Sequence, residues 1–181
     1  MTLKLKKIEK EDLNQIMQWR MMPEISSYMY TDPILTEESQ LKWYQEISDS
    51  NEVKYWIIEF EGKKIGVINL YNIDNLNKRC FWAYYIGDNS FRGKGIGRNL
   101  ECNIYDYVFN NLNFHKLCCE VLEENDKVVK IHQKFGSKIE GNFREHIFKK
   151  NKFLNTIRMG ILKEEWKNIR SNYEYEKIEI D

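Results

Sequence analysis

The sequence is most constrained by a strand, a glycine-rich turn and a helix that follow one another closely. Residues 79–86 (RCFWAYYI) predict a strand that is buried on both faces, because aromatic side chains occupy both. Residues 92–97 (RGKGIG) come soon after it, and apolar residues then recur at helical spacing from Ile96 to Val108. Glycines allow a backbone to approach a ligand closely, and the free N–H groups at a helix start attract anions. The segment therefore predicts a loop that binds phosphate groups.

Two better-known phosphate motifs do not fit this loop. A Walker loop requires G-x-x-x-x-G-K-[ST], which the sequence lacks. A Rossmann fingerprint requires G-x-G-x-x-G inside a parallel βαβ unit, whereas the spacing here is R-G-x-G-x-G and hairpin-linked strands precede it. A glycine-rich turn without function is the simplest alternative. Against it, three glycines coincide at a helix start with three cations, Arg92, Lys94 and Arg98.

Alternating and helical patterns in the rest of the chain predict its fold class. Further strands are expected at residues 3–8, 54–60, 64–70, 115–122, 141–149 and 153–162, and further helices at 11–20, 36–47 and 126–135. Together with the first segment, this order predicts an α+β (mixed α/β) fold. Its central, mostly antiparallel sheet has about seven strands, with about four helices. We expect residues 1–166 to form a single domain and residues 167–181 to form a charged C-terminal tail on the surface.

Composition argues against several classes of protein. Basic and acidic residues both number 28, so the zero net charge gives no reason to expect a nucleic-acid or membrane partner. No apolar run approaches the ~20 residues of a spanning helix, and the N-terminus lacks the apolar stretch of a signal peptide. We therefore expect a cytoplasmic protein. The four cysteines have neither zinc-site nor disulfide spacing, which predicts buried thiols and no metal site.

The glycine-rich loop resembles the acetyl-CoA loop of the GNAT acetyltransferase superfamily. That loop has the pattern Q/R-x-x-G-x-G/A, which Arg92, Gly95 and Gly97 match. A second element also matches, because Asn125 precedes a helix that closes with Lys134-Phe135-Gly136. In the superfamily this asparagine lies near the pantetheine arm of the cofactor, where two strands splay apart. The resemblance covers residues 1 to about 166 and implies the GNAT fold, acetyl-CoA as cofactor and N-acetyltransferase activity.

The resemblance implies a cofactor site built from the strand, the loop and the two following helices. Its expected members are Tyr85, Ile86, Gly87, Arg92, Gly93, Lys94, Gly95, Ile96, Gly97, Arg98, Asn125 and Lys130. A backbone N–H near Tyr85, Ile86 or Gly87 is expected to hold the thioester carbonyl. Such a donor, aimed at a developing oxyanion, contributes about 3 kcal/mol.

The resemblance also implies where the catalytic groups lie. Many members have a tyrosine seven residues after the asparagine, where it protonates the leaving thiolate. His132 holds that position here, and an ordinary histidine pKa suits proton transfer at neutral pH. Glu120, on the strand beside the cofactor cleft, is the candidate base, acting directly or through water. The alternatives are a partly exposed helical histidine and a solvated strand residue, both without a catalytic role.

The acceptor is implied by weaker likenesses. The end of the chain, from residues 141–146 (GNFREH) through 162–166 (LKEEW), resembles the branch that contains ribosomal-protein N-terminal acetyltransferases. Within that branch, five short strings are most similar to aminosugar enzymes of the pseudaminic-acid pathway. They are Trp19-Arg20, Tyr28-Met29-Tyr30-Thr31, Lys54-Tyr55-Trp56, Lys64-Ile65-Gly66-Val67-Ile68 and His115-Lys116-Leu117. Those enzymes acetylate the 4-amino group of a UDP-linked 4-amino-4,6-dideoxy sugar, by direct transfer in a ternary complex.

The expected substrate-binding residues are therefore Arg20, Tyr30 and His146. Arg20 is a candidate for pairing with a diphosphate bidentately, and His146 for contacting the diphosphate or deprotonating the amine. The expected partner is a small-molecule amine, a UDP-aminosugar, and a homodimer is common in the superfamily. Two alternatives stay open, a protein N-terminal acetyltransferase and an acetyl-CoA-binding regulatory module without activity.

Overall fold

The computed structural model describes residues 2–91 and 94–181, and within them one sheet of eight strands and six α-helices. The strands are β1 Leu3–Lys7, β2 Lys54–Phe60, β3 Lys63–Asp74, β4 Arg79–Ile86, β5 Lys116–Leu122, β6 Lys138–Lys149, β7 Lys152–Leu162 and β8 Glu179–Ile180. The helices are α1 Leu13–Met21, α2 Pro23–Ser26, α3 Glu37–Asp49, α4 Ile96–Asp106, α5 Asp126–Lys134 and α6 Lys163–Ile169.

The strand order across the sheet is β6-β7-β5-β4-β3-β2-β1-β8. Every neighbouring pair is antiparallel except β4 with β5 and β1 with β8. The predicted mixed fold with a mostly antiparallel sheet is therefore confirmed. The predicted β2–β3 hairpin is also present, and Glu61 and Gly62 both have positive φ in its turn.

Three short elements account for the difference between the predicted and the observed numbers of helices and strands. The chain continues as α2 after α1, because Pro23 occupies the first turn of a new helix, where its missing N–H costs nothing. Residues 23–26, for which no strand or helix was predicted, therefore form a helix. Helix α6 follows β7 directly, and β8 has only two residues, too few for a periodic pattern.

Residues 167–181 are not a loose tail. The Tyr175 hydroxyl donates to Asp106 of α4 at 2.6 Å, and the Trp56 indole N–H donates to the Asp181 carbonyl at 2.8 Å. Strand β8 pairs with Lys4 and Leu5 of β1. The segment is charged and partly exposed, and it is anchored along α4 and at the edge of the sheet.

The core lies on both faces of the sheet. On one face, which we call the α4 face, α4, α5 and α6 cover large buried side chains such as Trp82, Tyr105 and Trp166. On the other face, which we call the α1 face, α1 and α3 pack on Ile57 and Val67. All four cysteines are buried and free, in agreement with their predicted state.

Strands β4 and β5 pair over only part of their lengths. Residues Arg79–Phe81 of β4 pair with Lys116–Cys118 of β5, and no further pair follows in this described region. Meanwhile β4 stays paired with β3 as far as Ile86, and β5 stays paired with β7 as far as Leu122. The two strands therefore separate and leave a V-shaped gap within the sheet, which we call the gap.

Across the described ranges, no helix is long and apolar enough to cross a membrane. The same residues contain no group of three histidine, cysteine, aspartate or glutamate side chains that could hold a metal ion.

Candidate active site

The gap exposes backbone groups of β4. The Gly87 N–H donates to the Ile65 carbonyl of β3 at 2.7 Å. Backbone groups alternate sides along a strand, so those of Tyr85 also point toward β3 and those of Ile86 point into the gap. Of the three residues predicted to hold the thioester, Ile86 has the available backbone N–H, whereas the N–H groups of Tyr85 and Gly87 face β3.

The predicted phosphate loop leads into the first turn of α4. Arg92 and Gly93 lie outside the described residues. Gly95 is the N-cap of α4 in a left-handed conformation, with φ of 76°, which glycine adopts without strain. Ile96 is buried and anchors the helix start, while Lys94 and Arg98 are exposed. The N-terminus of this eleven-residue helix, which carries a partial positive charge, therefore lies beside β4 with Lys94 and Arg98 near it.

Gly97 lies beside β4 in the first turn of α4. A Cβ at Gly97 would lie 3.2 Å from the Tyr84 hydroxyl, so the helix start sits directly over the end of β4. This proximity brings the phosphate-binding turn next to the gap. A cofactor whose diphosphate sits at the helix start can then extend its arm along the exposed edge of β4. The residues present therefore fit acetyl-CoA.

Asn125 and Lys130 occupy different surroundings. Asn125 caps the start of α5 through its backbone, because its N–H donates to Leu122 and its carbonyl accepts from Val128. It therefore lies directly beyond the end of β5, on the far side of the gap. Lys130 is exposed and pairs with Asp126 at 2.5 Å, one turn earlier on the same helix.

His132 is buried on the α4 face, not partly exposed. Its Nδ1 lies 2.8 Å from Oε1 of Glu101, and its ring contacts Trp82 at a centroid distance of 5.3 Å. Burial lowers the pKa of His132, but Cys119 and Glu101 raise it more strongly, and the resulting pKa is about 10. The expectation of an ordinary pKa is therefore wrong, because a buried carboxylate stabilises the imidazolium.

Sequence reasoning missed Glu101. It is completely buried on α4, where its Oε1 also accepts from the Tyr105 hydroxyl at 2.8 Å. A signal for it exists in the sequence, because Glu101 falls among Leu100, Cys102 and Ile104 on a helix that is otherwise buried at this level. An acidic residue in such a setting requires a partner inside the protein.

A row of half-buried side chains lines the α1 face beside the gap. Residues opposite each other on neighbouring strands share a face, so Tyr55, Asn69 and Ala83 form one row across β2, β3 and β4. Ala83 is exposed although its strand lies in the middle of the sheet. Tyr85, two residues further along β4, and Glu120 of β5 lie on the same face. We call the exposed surface around Ala83, which these residues border, the basin.

Glu120 lies at one side of the basin in a tight polar cluster. The Tyr30 hydroxyl donates to its Oε2 at 2.9 Å, and Arg158 Nε donates to its Oε1 at 2.8 Å, with a second contact from Arg158 Nη2. Burial raises the pKa of Tyr30, which keeps its hydroxyl protonated as a donor. Glu120 is therefore an oriented, ion-paired carboxylate, and not a freely solvated strand residue.

Arg20 lies at the other side of the basin. Its Nη2 donates to the Thr31 hydroxyl at 3.1 Å, whereas its Nη1 is buried and has no hydrogen-bond partner within the described part of the chain. Burial lowers the pKa of Arg20, while Tyr85, Asp32 and Tyr55 oppose this effect. An unpaired buried guanidinium nitrogen is costly, so it marks a position where a ligand can supply an acceptor.

His146 is exposed and lies farther out. It occupies an irregular part of β6, where the register with β7 shifts between Phe143 and Ile147. Its ring packs on Phe143 at 5.3 Å, and Phe143 in turn contacts Arg158. The structure thus brings Arg20, Tyr30 and Glu120 together on the α1 face, with His146 at their edge and His132 on the opposite face. The gap joins the two faces.

Comparison with known proteins identifies the family. Residues 2–138 match the family model described as an acetyltransferase (GNAT) domain, which is well over half of the chain. The chain belongs to the GNAT acetyltransferases. Its enzyme class and its cofactor, acetyl-CoA, follow from that membership, so the alternative of a module without activity is set aside.

Known relatives support the same class of reaction. Spermidine N(1)-acetyltransferase of Escherichia coli strain K12 is 29% identical over 167 residues, covering 91% of this acetyltransferase and 88% of the relative. Acetyltransferase PseH of Campylobacter jejuni serotype O:23/36 is 30% identical over 126 residues, covering 70% and 76% of the two chains. This chain is an acetyl-CoA-dependent N-acetyltransferase.

A solved structure is similar over nearly the whole length of this acetyltransferase. It is the spermidine N-acetyltransferase of Vibrio cholerae in complex with CoA and spermine, with a TM-score of 0.86 and 27% identity. The match covers 92% of this chain and 99% of that one. That structure contains CoA, which agrees with the fit of this cofactor to the start of α4 and to the gap in the present fold.

Proposed function

We propose that this N-acetyltransferase acetylates the 4-amino group of a UDP-linked 4-amino-4,6-dideoxy-N-acetylhexosamine, UDP-4-amino-4,6-dideoxy-N-acetyl-β-L-altrosamine. The observation that carries the proposal is the buried, unpaired Nη1 of Arg20 at the side of the basin. A guanidinium binds phosphate oxygens with two parallel hydrogen bonds, and such charge-assisted bonds are about twice as strong as neutral ones. A diphosphate at Arg20 would supply the missing acceptor.

The side chains around Arg20 suit the remainder of such an acceptor. Tyr55 and Tyr85 flank it, and Trp43 packs edge-on against Tyr55 at 5.2 Å. Flat aromatic surfaces of this kind suit a uracil ring or a sugar face. Asn69, next to Tyr55 across the sheet, adds an amide that can both donate and accept.

The charges around the basin favour an anionic acceptor. Its nearest carboxylates are already neutralised, because Glu120 pairs with Arg158, and Asp32 pairs with Lys149 and Lys150. A polyamine carries several positive charges and requires carboxylates that are available to it. Arg20, in contrast, presents an available positive charge.

We assign separate roles in the acetyl transfer to the residues around the gap. Acetyl-CoA, when bound, supplies an activated acetyl group as a thioester. In our proposal a backbone N–H of β4 that faces the gap polarises the thioester carbonyl. Glu120, held by Tyr30 and Arg158, orients the amine and accepts its proton directly or through water. His132 protonates the departing sulfur from the opposite face, and transfer is direct within a ternary complex.

A polyamine is the second candidate acceptor, and the comparisons favour it. The spermidine acetyltransferases match over a larger share of this chain than PseH does, 91% against 70%. If spermidine is the acceptor, its positive charges must be balanced by carboxylates outside the polar cluster around Glu120.

One assay separates these acceptors. The purified enzyme is incubated with acetyl-CoA and, separately, with the UDP-4-amino sugar, spermidine and a peptide with a ribosomal-protein N-terminus. We expect acetylation of the sugar with a kcat/KM at least tenfold above that of either alternative. Efficient turnover of spermidine without turnover of the sugar would reject the proposal.

A matched pair of variants tests the role of Arg20. The Arg20→Gln change removes the charge-assisted bonds and should raise KM for the sugar about 10- to 100-fold, equivalent to about 1.5–3 kcal/mol. The control is Arg79→Gln, because Arg79 is an exposed arginine at the opposite end of β4. Equal effects of the two changes on KM would show that Arg20 does not contact the acceptor.

The remaining expectations are proposals of the same kind. We propose a cytoplasmic enzyme with one catalytic domain and a possible homodimeric state. Sedimentation of the purified chain at several concentrations tests the last of these.

A further inference from the structure

The buried pair of Glu101 and His132 carries a further inference, which rests on the proposed acid role of His132. Glu101 lies on α4 and His132 on α5, and both side chains are almost inaccessible to water. Their contact of 2.8 Å is part of a chain of hydrogen bonds that continues through the Tyr105 hydroxyl to the Ser137 hydroxyl at 2.9 Å. The chain runs through the core of the α4 face.

The contacts decide which ring nitrogen of His132 carries a proton. Oε1 of Glu101 accepts from the Tyr105 hydroxyl and faces Nδ1 of His132, so Nδ1 is the donor in this contact. When the ring is also protonated at Nε2, the Glu101 carboxylate balances its charge. The histidine is thereby prepared to give up the Nε2 proton while keeping its orientation.

The position of His132 relates it to the gap. Its ring packs against Trp82 of β4, the first residue beyond the last pair that β4 makes with β5. It also interacts with Cys119 of β5, the first residue beyond that pair on the other strand. His132 therefore lies at the vertex of the gap, where the two strands begin to separate.

The ionisable groups that interact with this pair come from four parts of the chain. Cys102 and Tyr105 belong to α4, Cys119 to β5, Tyr84 to β4 and Tyr173 to the segment after α6. Burial raises the pKa of Tyr84 and Tyr105, and the charge of Glu101 adds to this effect, so both stay neutral hydroxyls. Cys119 and Glu101 are consequently the groups that raise the pKa of His132, and Glu101 is the one that contacts its Nδ1 at 2.8 Å.

We propose that Glu101 is the positioning residue that keeps His132 protonated and oriented for the leaving sulfur. As the amine nitrogen bonds to the carbonyl carbon, the carbon–sulfur bond breaks and its electron pair passes to sulfur. The Nε2 proton of His132 then moves to that sulfur and releases CoA as the thiol. The proton lost by the amine passes to Glu120 or water, and His132 regains its proton from solvent before the next turnover.

A purely structural role fits the pair less well. Oε2 of Glu101 is buried and has no hydrogen-bond partner in the described ranges, which is an energetic cost. Apolar residues of similar size often stabilise a core as well as a buried ion pair does. A carboxylate kept at this cost next to the vertex of a catalytic gap is better explained by its effect on His132.

The first test is a double-mutant cycle on kcat, with the amine that the enzyme turns over best as acceptor. Glu101→Gln preserves shape but removes the charge, and we expect kcat to fall about 10- to 100-fold, which is at most the lower end of the roughly 10²- to 10⁴-fold that a general acid contributes. His132→Phe should lower kcat at least as much. In the His132→Phe background, the Glu101→Gln change should lower kcat by less than twofold more. Multiplied losses would overturn the proposal.

A control on the same helix separates positioning from stability. Asp106 is a part-buried carboxylate of α4 that pairs with Arg170 and accepts from Tyr175, and its hydrogen bonds are separate from those of Glu101 and His132. Asp106→Asn should lower the melting temperature and leave kcat per folded molecule unchanged. A loss of kcat equal to that of Glu101→Gln would show that both carboxylates act only through the fold. Because the cycle uses whichever amine is acetylated, failure of the sugar assignment does not affect it.

Two further measurements extend the test. The kcat of the unchanged enzyme should persist until the pH approaches about 10, whereas that of Glu101→Gln should decline from nearer 6.5. If the variants fold poorly, ¹⁵N NMR of the unchanged protein decides. Both ring nitrogens of His132 should be protonated at pH 8, and a neutral ring at that pH would overturn the proposal.

Discussion

Replacing Gly95 by alanine should separate cofactor binding from backbone strain. Gly95 has a φ of 76° at the start of α4, and a Cβ built there has no atom of the described residues within 4 Å. Alanine in this left-handed conformation costs about 1 kcal/mol. For a chain of this size, that loss lowers the melting temperature by about 2–4 °C. The open space around the new methyl group is where we expect the cofactor diphosphate.

The effect on the cofactor can be calculated from ligand-induced stabilisation. At a CoA concentration 100 times the Kd, binding stabilises the folded protein by about 2.7 kcal/mol. If the methyl group weakens binding tenfold, the same concentration contributes about 1.4 kcal/mol. Thermal unfolding with and without CoA should therefore show a melting-temperature rise about half as large in Gly95→Ala as in the unchanged protein.

Gly62 provides a closely matched control. It has a φ of 77° in the β2–β3 turn, and within the described part of the chain no atom lies closer than 4 Å to a Cβ built there. Gly62→Ala should therefore lose the same stability as Gly95→Ala while keeping the full rise with CoA. Equal rises in the two variants would refute the assignment of the α4 start as the cofactor site.

Three other outcomes are expected. Gly66→Ala should lower the free energy of unfolding by about 3 kcal/mol, measured in urea, because its Cβ would lie 2.1 Å from the Tyr85 carbonyl oxygen, which belongs to the backbone. Removing residues 173–181 should lower the melting temperature but leave the KM for the acceptor unchanged, because the hydrogen bonds that are lost, such as that to Asp106, lie on the α4 face. The folded-state pKa of His132, about 10, exceeds its ordinary value of 6.5, so its stabilising effect is complete below about pH 6.5 and lost as pH rises through 10. The urea midpoint should fall over that range, and a flat profile would contradict the raised pKa.

The sequence predicts the cofactor side of this enzyme better than the catalytic side. The start of α4 is recognisable because its signal is local, since the strand, the glycines and the helix all lie within residues 79–108. The partner of His132 lies 31 residues away on another helix, and no local pattern connects the two. Only the packing of α4 against α5 reveals that a carboxylate stabilises the imidazolium.

The residues expected to bind the acceptor were also only partly predictable. Arg20, Tyr30 and Glu120 could be named from the sequence, but their hydrogen-bond partners and burial could not be predicted from it. Tyr30 and Glu120 are 90 residues apart, and their hydrogen bond depends on the path of the loop after α2. The unpaired nitrogen of Arg20 depends on which side chains surround it. Such states arise from tertiary contacts, which periodicity does not encode.

Lys149 has a consequence for anyone who wishes to redesign the acceptor preference. Its ammonium group is buried at the end of β6, where it donates to the carbonyls of Ser26 and Met29, the latter at 2.6 Å. Ser26 is the last residue of α2, and Met29 lies in the loop that follows it and carries Tyr30. Exchanging this loop alone for one of different shape would leave the buried ammonium group of Lys149 without hydrogen-bond acceptors, which is energetically costly. Lys149 and the loop that carries Tyr30 should therefore be exchanged together.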